Sequence, residues 1–91
     1  MTAKHLVIHG RVQGVWYRGW AVEIARSLGL DGWVRNRLDG TVEALVSGGS
    51  DAVERFIAFA HEGPKAAKVT RIDASDAAEA DSTGFEQRPT V

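Results

Sequence analysis

A chain of 91 residues, 44% hydrophobic and 25% charged, has the size and balance of one soluble globular domain, which excludes a multidomain assembly and disorder through its bulk. It contains no cysteine, so a disulfide framework, a thiolate zinc site and thiol catalysis are excluded, and the absence fits a reducing compartment. The formal net charge of −1 is unevenly spread: residues 1–37 carry +4 and residues 38–91 carry −5, too little for a nucleic-acid surface but enough to favour a small anion near the basic part.

In chain order, His5 to His9 alternates, with Leu6 and Ile8 on one side and His5, Val7 and His9 on the other, which predicts a first strand bounded by Lys4 and Gly10. His5 and His9 are four residues apart on it, about 13 Å at roughly 3.3 Å per residue, too far to share a metal. Ala21, Ile24, Ala25 and Leu28 then fall at i, i+3, i+4 and i+7 and predict a helix that starts near Arg18 and stops at Gly29. Leu30 to Arg37 and Thr41 to Ser47 are extended runs around Asp39-Gly40, a hairpin signal.

Ser50 or Asp51 is expected to cap a second helix, with Asp51 and Glu54 at capping-box spacing. Val53, Phe56, Ile57 and Ala60 form its apolar face, and Gly63-Pro64 ends it. Lys68 to Ala74 predicts a further strand, Ser75 to Gly84 an acidic solvated connection, and Phe85 to Arg88 a short edge strand. The order β-α-β-β-α-β, with room for a short fifth strand, predicts an α+β, ferredoxin-like (split βαβ) sandwich: one antiparallel sheet with both helices on one face. Residues 1–91 are expected to form one domain. No run approaches the roughly 18 apolar residues of a membrane span, and MTAKHLVIHG lacks a secretory core, so the cytoplasm is the expected location and no membrane partner is expected.

The stretch that carries chemistry is Gly10 to Arg18, GRVQGVWYR, between the first strand and the first helix. A glycine-bearing loop ahead of a helix presents unpaired backbone N–H groups and the positive end of the helix dipole, a setting for an anion. Arg18 at a helix start is unfavourable against that dipole unless an anion sits between them. Trp16 and Tyr17 stand where a nucleotide-binding Walker loop requires Lys and Ser or Thr, so a nucleoside triphosphate site is unsupported. Trp16, Tyr17 and Trp20 suit either the rim of an acyl-binding site or ordinary packing.

Gly10-Arg11-Val12-Gln13-Gly14-Val15, followed by Tyr17 and Arg18, resembles the signature loop of the acylphosphatase family. Gly32-Trp33-Val34-Arg35-Asn36 resembles the family's second signature, Asp39-Gly40-Thr41-Val42-Glu43 its hairpin, and Gly63-Pro64 with Ala67 and Val69 the path out of its second helix. The likeness spans residues 4 to 74, with a weaker echo at Phe85. It implies a hydrolase that splits acyl phosphates into a carboxylate and inorganic phosphate without metal, cofactor or covalent intermediate. It further implies that backbone amides from Arg11 through Val12, Gln13, Gly14, Val15, Trp16 and Tyr17 to Arg18 cradle the phosphoryl oxygens, that Arg18 binds the phosphate, and that Asn36 positions the attacking water. The chain departs from the family pattern at Ala21 and Arg37, where threonines are common, which bears on the fine positioning of that water.

Expected partners are therefore a small acyl phosphate and inorganic phosphate, as product and inhibitor, with the protein a monomer. Two other readings use the same fold order. A non-catalytic phosphate or acyl-phosphate binding module would keep the loop and Arg18 and not turn over. An RNA-binding module would show exposed aromatics on its third strand, where this chain has Thr41-Val42-Glu43-Ala44-Leu45-Val46, so no nucleic-acid partner is expected.

Overall fold

Alternation at the start of the chain is realised as a long strand that becomes an interior strand of the sheet. In the computed structural model, which describes all of residues 1–91, the elements are β1 (Thr2–Arg11), α1 (Tyr17–Ser27), β2 (Asp31–Asn36), β3 (Val42–Gly48), α2 (Ser50–Glu62), β4 (Lys68–Asp76) and β5 (Phe85–Gln87). The strand order is β4-β1-β3-β2-β5, and β1 pairs antiparallel with β3 and β4, as β2 does with β3. This is the expected ferredoxin-like arrangement.

The fifth strand corrects one expectation. β5 pairs with β2 in parallel, Gly32 opposite Phe85 and Val34 opposite Gln87, so the sheet is mixed rather than wholly antiparallel. The reason is topological. β4 ends with Asp76 beside Lys4, at the same end of the sheet where β2 begins, so a chain that crosses to the far edge there must run in the direction of β2. Phe85 secures the crossing by burying its ring against Phe56, with centroids 5.9 Å apart. β4 also runs two residues beyond the expected Ala74, so the acidic connection begins at Ala77.

Leu6 and Ile8 of β1, Val34 of β2 and Val42, Ala44 and Val46 of β3 face the helices and are fully buried. Ala21 and Ala25 of α1 and Val53, Phe56 and Ala60 of α2 meet them, as the helical spacing requires. Ile57 and Leu28 lie at the margin of that core. α2 is capped differently from expectation. Gly49 is the N-cap residue and no side chain caps the helix, because the helix already includes Ser50, whose hydroxyl is hydrogen-bonded with that of Thr2 at 2.7 Å. The opposite sheet face is polar, and there the Trp33 ring lies under the guanidinium groups of Arg35 and Arg88, at 4.6 and 5.1 Å.

One buried hydroxyl ties the start of α1 to the end of α2. The carbonyl of Ala60 would bond to the amide of residue 64 if the helix continued, but Pro64 has none. Tyr17 supplies the donor: its hydroxyl, fully buried, reaches the Ala60 oxygen at 2.7 Å. Burial pushes the Tyr17 phenol far above its ordinary range, which keeps it protonated and donating at neutral pH. Tyr17→Phe leaves that buried carbonyl unpaired and is expected to cost about 1–3 kcal/mol, read as a lower urea midpoint at unchanged m-value.

Candidate active site

The loop after β1 owes its shape to backbone hand. A bulge between His9 and Gly10 turns the end of β1, and Gly10 takes φ 119° where a Cβ would lie 2.1 Å from the Lys68 carbonyl oxygen. Val12 then anchors the chain in the core. Beyond it Gly14 has φ 73° and Trp16 φ 66°, with Val15 at negative φ between them. Alternating hand turns successive N–H groups toward a common side, the geometry of a backbone anion nest.

The backbone N–H groups from Gln13 to Gly19 accordingly make no hydrogen bond within the protein. Four features make the place electropositive: the nest, the start of α1, the absence of any carboxylate in that first turn and the lack of a side-chain cap. Arg18 is half-buried there and forms no ion pair, whereas Arg35, Arg37, Arg71 and Arg88 each face a carboxylate.

The residues expected in this loop divide by what they expose. Val12 and Tyr17 turn their side chains into the core and offer only backbone. Arg11, Gly14 and Trp16 are exposed, Trp16 at 59%, and Val15 is half-buried. The Trp16 indole lies on Gly19, where a Cβ would come within 2.3 Å of its Nε1. Gln13 contributes its backbone to the loop, but its side chain leaves it, donating from Nε2 to the carbonyls of Arg37 and Thr41 at 2.8 and 2.9 Å.

Asn36 ends β2 on the helix-facing side, two residues beyond the buried Val34. It is 9% exposed, and its Oδ1 is a buried acceptor with no partner in the protein. Its backbone carbonyl accepts from the amide of Val91 at 3.2 Å, and the Val91 carbonyl accepts from Leu38 N at 2.7 Å, so the chain after β5 continues along β2 to this point. The turn beyond Asn36 is stiff: Asp39 Oδ1 accepts from both the amide and the hydroxyl of Thr41, which hold the Asp39 carboxyl below its ordinary value.

Ala21, one of the two departures from the family pattern, is fully buried in the core, and Arg37, the other, turns to the open sheet face. Glu43 receives it there. Its carboxylate, 7% exposed, accepts from Arg35 Nε at 2.7 Å and His5 Nε2 at 2.5 Å and faces Arg37 Nη1 at 3.5 Å. His9 is likewise engaged, by Asp73 at 3.0 Å. Sequence reasoning missed the Glu43 cluster and the outward reach of Gln13; alternation around Glu43 and Arg35 was the available sign of a shared face, but their pairing depends on register. A shallow groove lined by Arg26, Leu30, Asp31 and Phe85 lies at the other end of α1 and has no part in this site.

The acylphosphatase family model matches residues 4–87. The chain belongs to the acylphosphatase family. It is 59% identical over 88 residues to an acylphosphatase of Acidovorax sp. (strain JS42), covering 97% of this chain and 91% of that one, and 59% identical over 90 residues to that of Azoarcus sp. (strain BH72), covering 99% and 92%. The fold matches the crystal structure of acylphosphatase from Bacillus subtilis with a TM-score of 0.91 at 32% identity, over 97% of this chain and 99% of that one. An acylphosphatase from Coxiella burnetii gives the same score and identity over 96% and 92%.

In this family member, the Glu43 cluster makes acid stability testable. Burial raises the Glu43 carboxyl, and the hydrogen bonds from His5 and Arg35 outweigh that, so its folded pKa lies below the ordinary 4.5. Protons therefore bind the unfolded chain more tightly, and the stabilisation is present above about pH 4.5 and is lost as pH falls through the folded value. Glu43→Gln is expected to be less stable than the parent at pH 7 in urea titrations, with the gap closing as pH drops below about 4.

Proposed function

We propose that this protein hydrolyses acyl phosphates to a carboxylate and inorganic phosphate by direct attack of water. The observation that carries the reading is the run of unpaired N–H groups from Gln13 to Gly19 around a half-buried Arg18 that has no acidic partner. Three non-bridging phosphoryl oxygens need several donors and a fixed positive charge, and a loop of backbone amides with one guanidinium fork supplies both. Arg18 acts as the phosphate-binding cation, and the amides of residues 11–18 as the cradle.

Asn36 turns binding into hydrolysis. A buried carbonyl oxygen left without a donor is costly, and a water donating to Oδ1 relieves that cost while its lone pair is directed to phosphorus. Being neutral, the amide does not repel the substrate as a carboxylate would. As water attacks, the P–O bond to the acyl group breaks and its electron pair leaves on the carboxylate. The acid of that leaving group has a pKa of about 4, so it departs without a general acid. The water's proton passes to a phosphate oxygen, and the loose transition state asks chiefly for positioning and charge stabilisation.

The same reading has the enzyme working as a monomeric single domain in the cytoplasm without metal or cofactor, which the cysteine-free composition suits. No helix of the chain is long and apolar enough to cross a membrane.

Benzoyl phosphate hydrolysis tests the proposal. Turnover is expected, competitively inhibited by phosphate and unchanged by a chelator. Arg18→Ala is expected to lose kcat/KM by about 1000-fold or more. Asn36→Ala should lower kcat by about 100-fold while phosphate inhibition stays within a few-fold, since it acts on water. Phosphate binding without turnover in the intact protein would instead identify a non-catalytic binding module. The pH–rate profile should lack an inflection between about 6 and 7. An inflection there that disappears in His9→Ala would contradict proton transfer to the substrate.

A further inference from the structure

The phosphate loop and Asn36 belong to strands that do not touch. The loop follows β1, Asn36 ends β2, and β3 lies between them. Two strand spacings amount to about 10 Å, so small changes in sheet twist would move the attacking water relative to phosphorus. A 1 Å misplacement of this kind can cost up to about 100-fold in rate.

Gln13 spans that gap. Its backbone belongs to the loop, and its part-buried carboxamide spends both N–H donors on the hairpin next to Asn36: on the carbonyl of Arg37, the following residue, and on that of Thr41, across the turn. Among the side-chain hydrogen bonds these are the two that join the loop to the β2–β3 hairpin. Neither carbonyl needs Gln13 to be satisfied. Arg37 O also accepts from Gly40 N at 3.1 Å, and Thr41 O from Arg37 N at 2.9 Å, so the turn is already closed without it. A side chain that adds a second donor to two paired carbonyls contributes little that the hairpin lacks. It does fix the hairpin's distance from the loop.

We propose that the Gln13 side chain is a positioning residue that sets the spacing between the phosphate cradle and the water held by Asn36. The inference rests on the acylphosphatase reading above and adds to it a role for a side chain that does not touch the substrate. Because the carbonyls keep their backbone donors, Gln13→Met, similar in length and without donors, should fold as the parent does. Gln13→Asn, too short to reach both carbonyls, serves as the second variant.

The test measures benzoyl phosphate kinetics and inhibition by inorganic phosphate for the parent, both Gln13 variants, Asn36→Ala and the Gln13→Met/Asn36→Ala double variant. Gln13→Met is expected to lower kcat by about 10-fold or more and Gln13→Asn by less, with the phosphate inhibition constant within about 3-fold of the parent. In the Asn36→Ala background the same Gln13→Met change should lower kcat by less than about 2-fold, because the group it positions is gone. A purely structural role would lower kcat by the same factor in both backgrounds, and that result overturns the proposal. So does an unchanged kcat, or a fall in phosphate affinity that matches the fall in kcat. Those three failures leave parent turnover intact and hence the acylphosphatase reading standing; absence of turnover in the parent overturns both.

Discussion

Everything in this structure depends on keeping a row of peptide N–H groups turned away from protein acceptors while the chain on both sides is held rigidly. The alternation of hand at Gly14, Val15 and Trp16 achieves the first. The second comes from burial at each end, where Val12 enters the core directly after β1 and Tyr17 enters it as the first residue of α1. Trp16 bears the strain of a left-handed backbone, a cost of about 1–3 kcal/mol for a non-glycine residue. Its indole resting on Gly19 defines that conformation, since any side chain at position 19 would displace the ring.

Charge placement follows the same division of the sheet into two faces. The electropositive helix start lies where the loop meets α1, with no carboxylate in the first helical turn. Carboxylates on the open sheet face are consumed locally: Glu43 by His5, Arg35 and Arg37, and Asp73 by His9 and Arg71. Arg35 and Arg37 flank Asn36 in sequence but point to the other face, where Glu43 engages both, so their charges are held away from the helix-facing side on which Asn36 lies. Arg18, at the start of α1, forms no ion pair with any carboxylate.

Much of this was legible in the residues. Alternation at Leu6 and Ile8, helical spacing at Ala21 and Ala25 and at Val53, Phe56 and Ala60, and the Asp39-Gly40 turn each correspond to what forms, because burial of one face follows from period alone. Less legible were the features that depend on two distant segments. Ser50 is the kind of residue that caps a helix, yet it pairs with Thr2, a partner brought close only by the β1–β3 register. The short run at Phe85 reads as a strand, but its direction is set by which end of the sheet the preceding strand leaves from.

By itself the sequence determined the order of elements, the apolar faces that pack them, and the family to which the chain belongs, since periodicity, glycine placement and the signature Gly10–Arg18 are local properties of the chain. Tertiary structure alone decided that Gln13 reaches out of its loop to the Asn36 hairpin, that Asn36 Oδ1 is buried without a donor, that Tyr17 completes the carbonyl orphaned by Pro64, and that β5 runs parallel to β2. The physical reason is common to all four. Each depends on what a residue meets across the sheet or between layers, and hydrogen bonds between residues far apart in sequence leave no periodic trace in it.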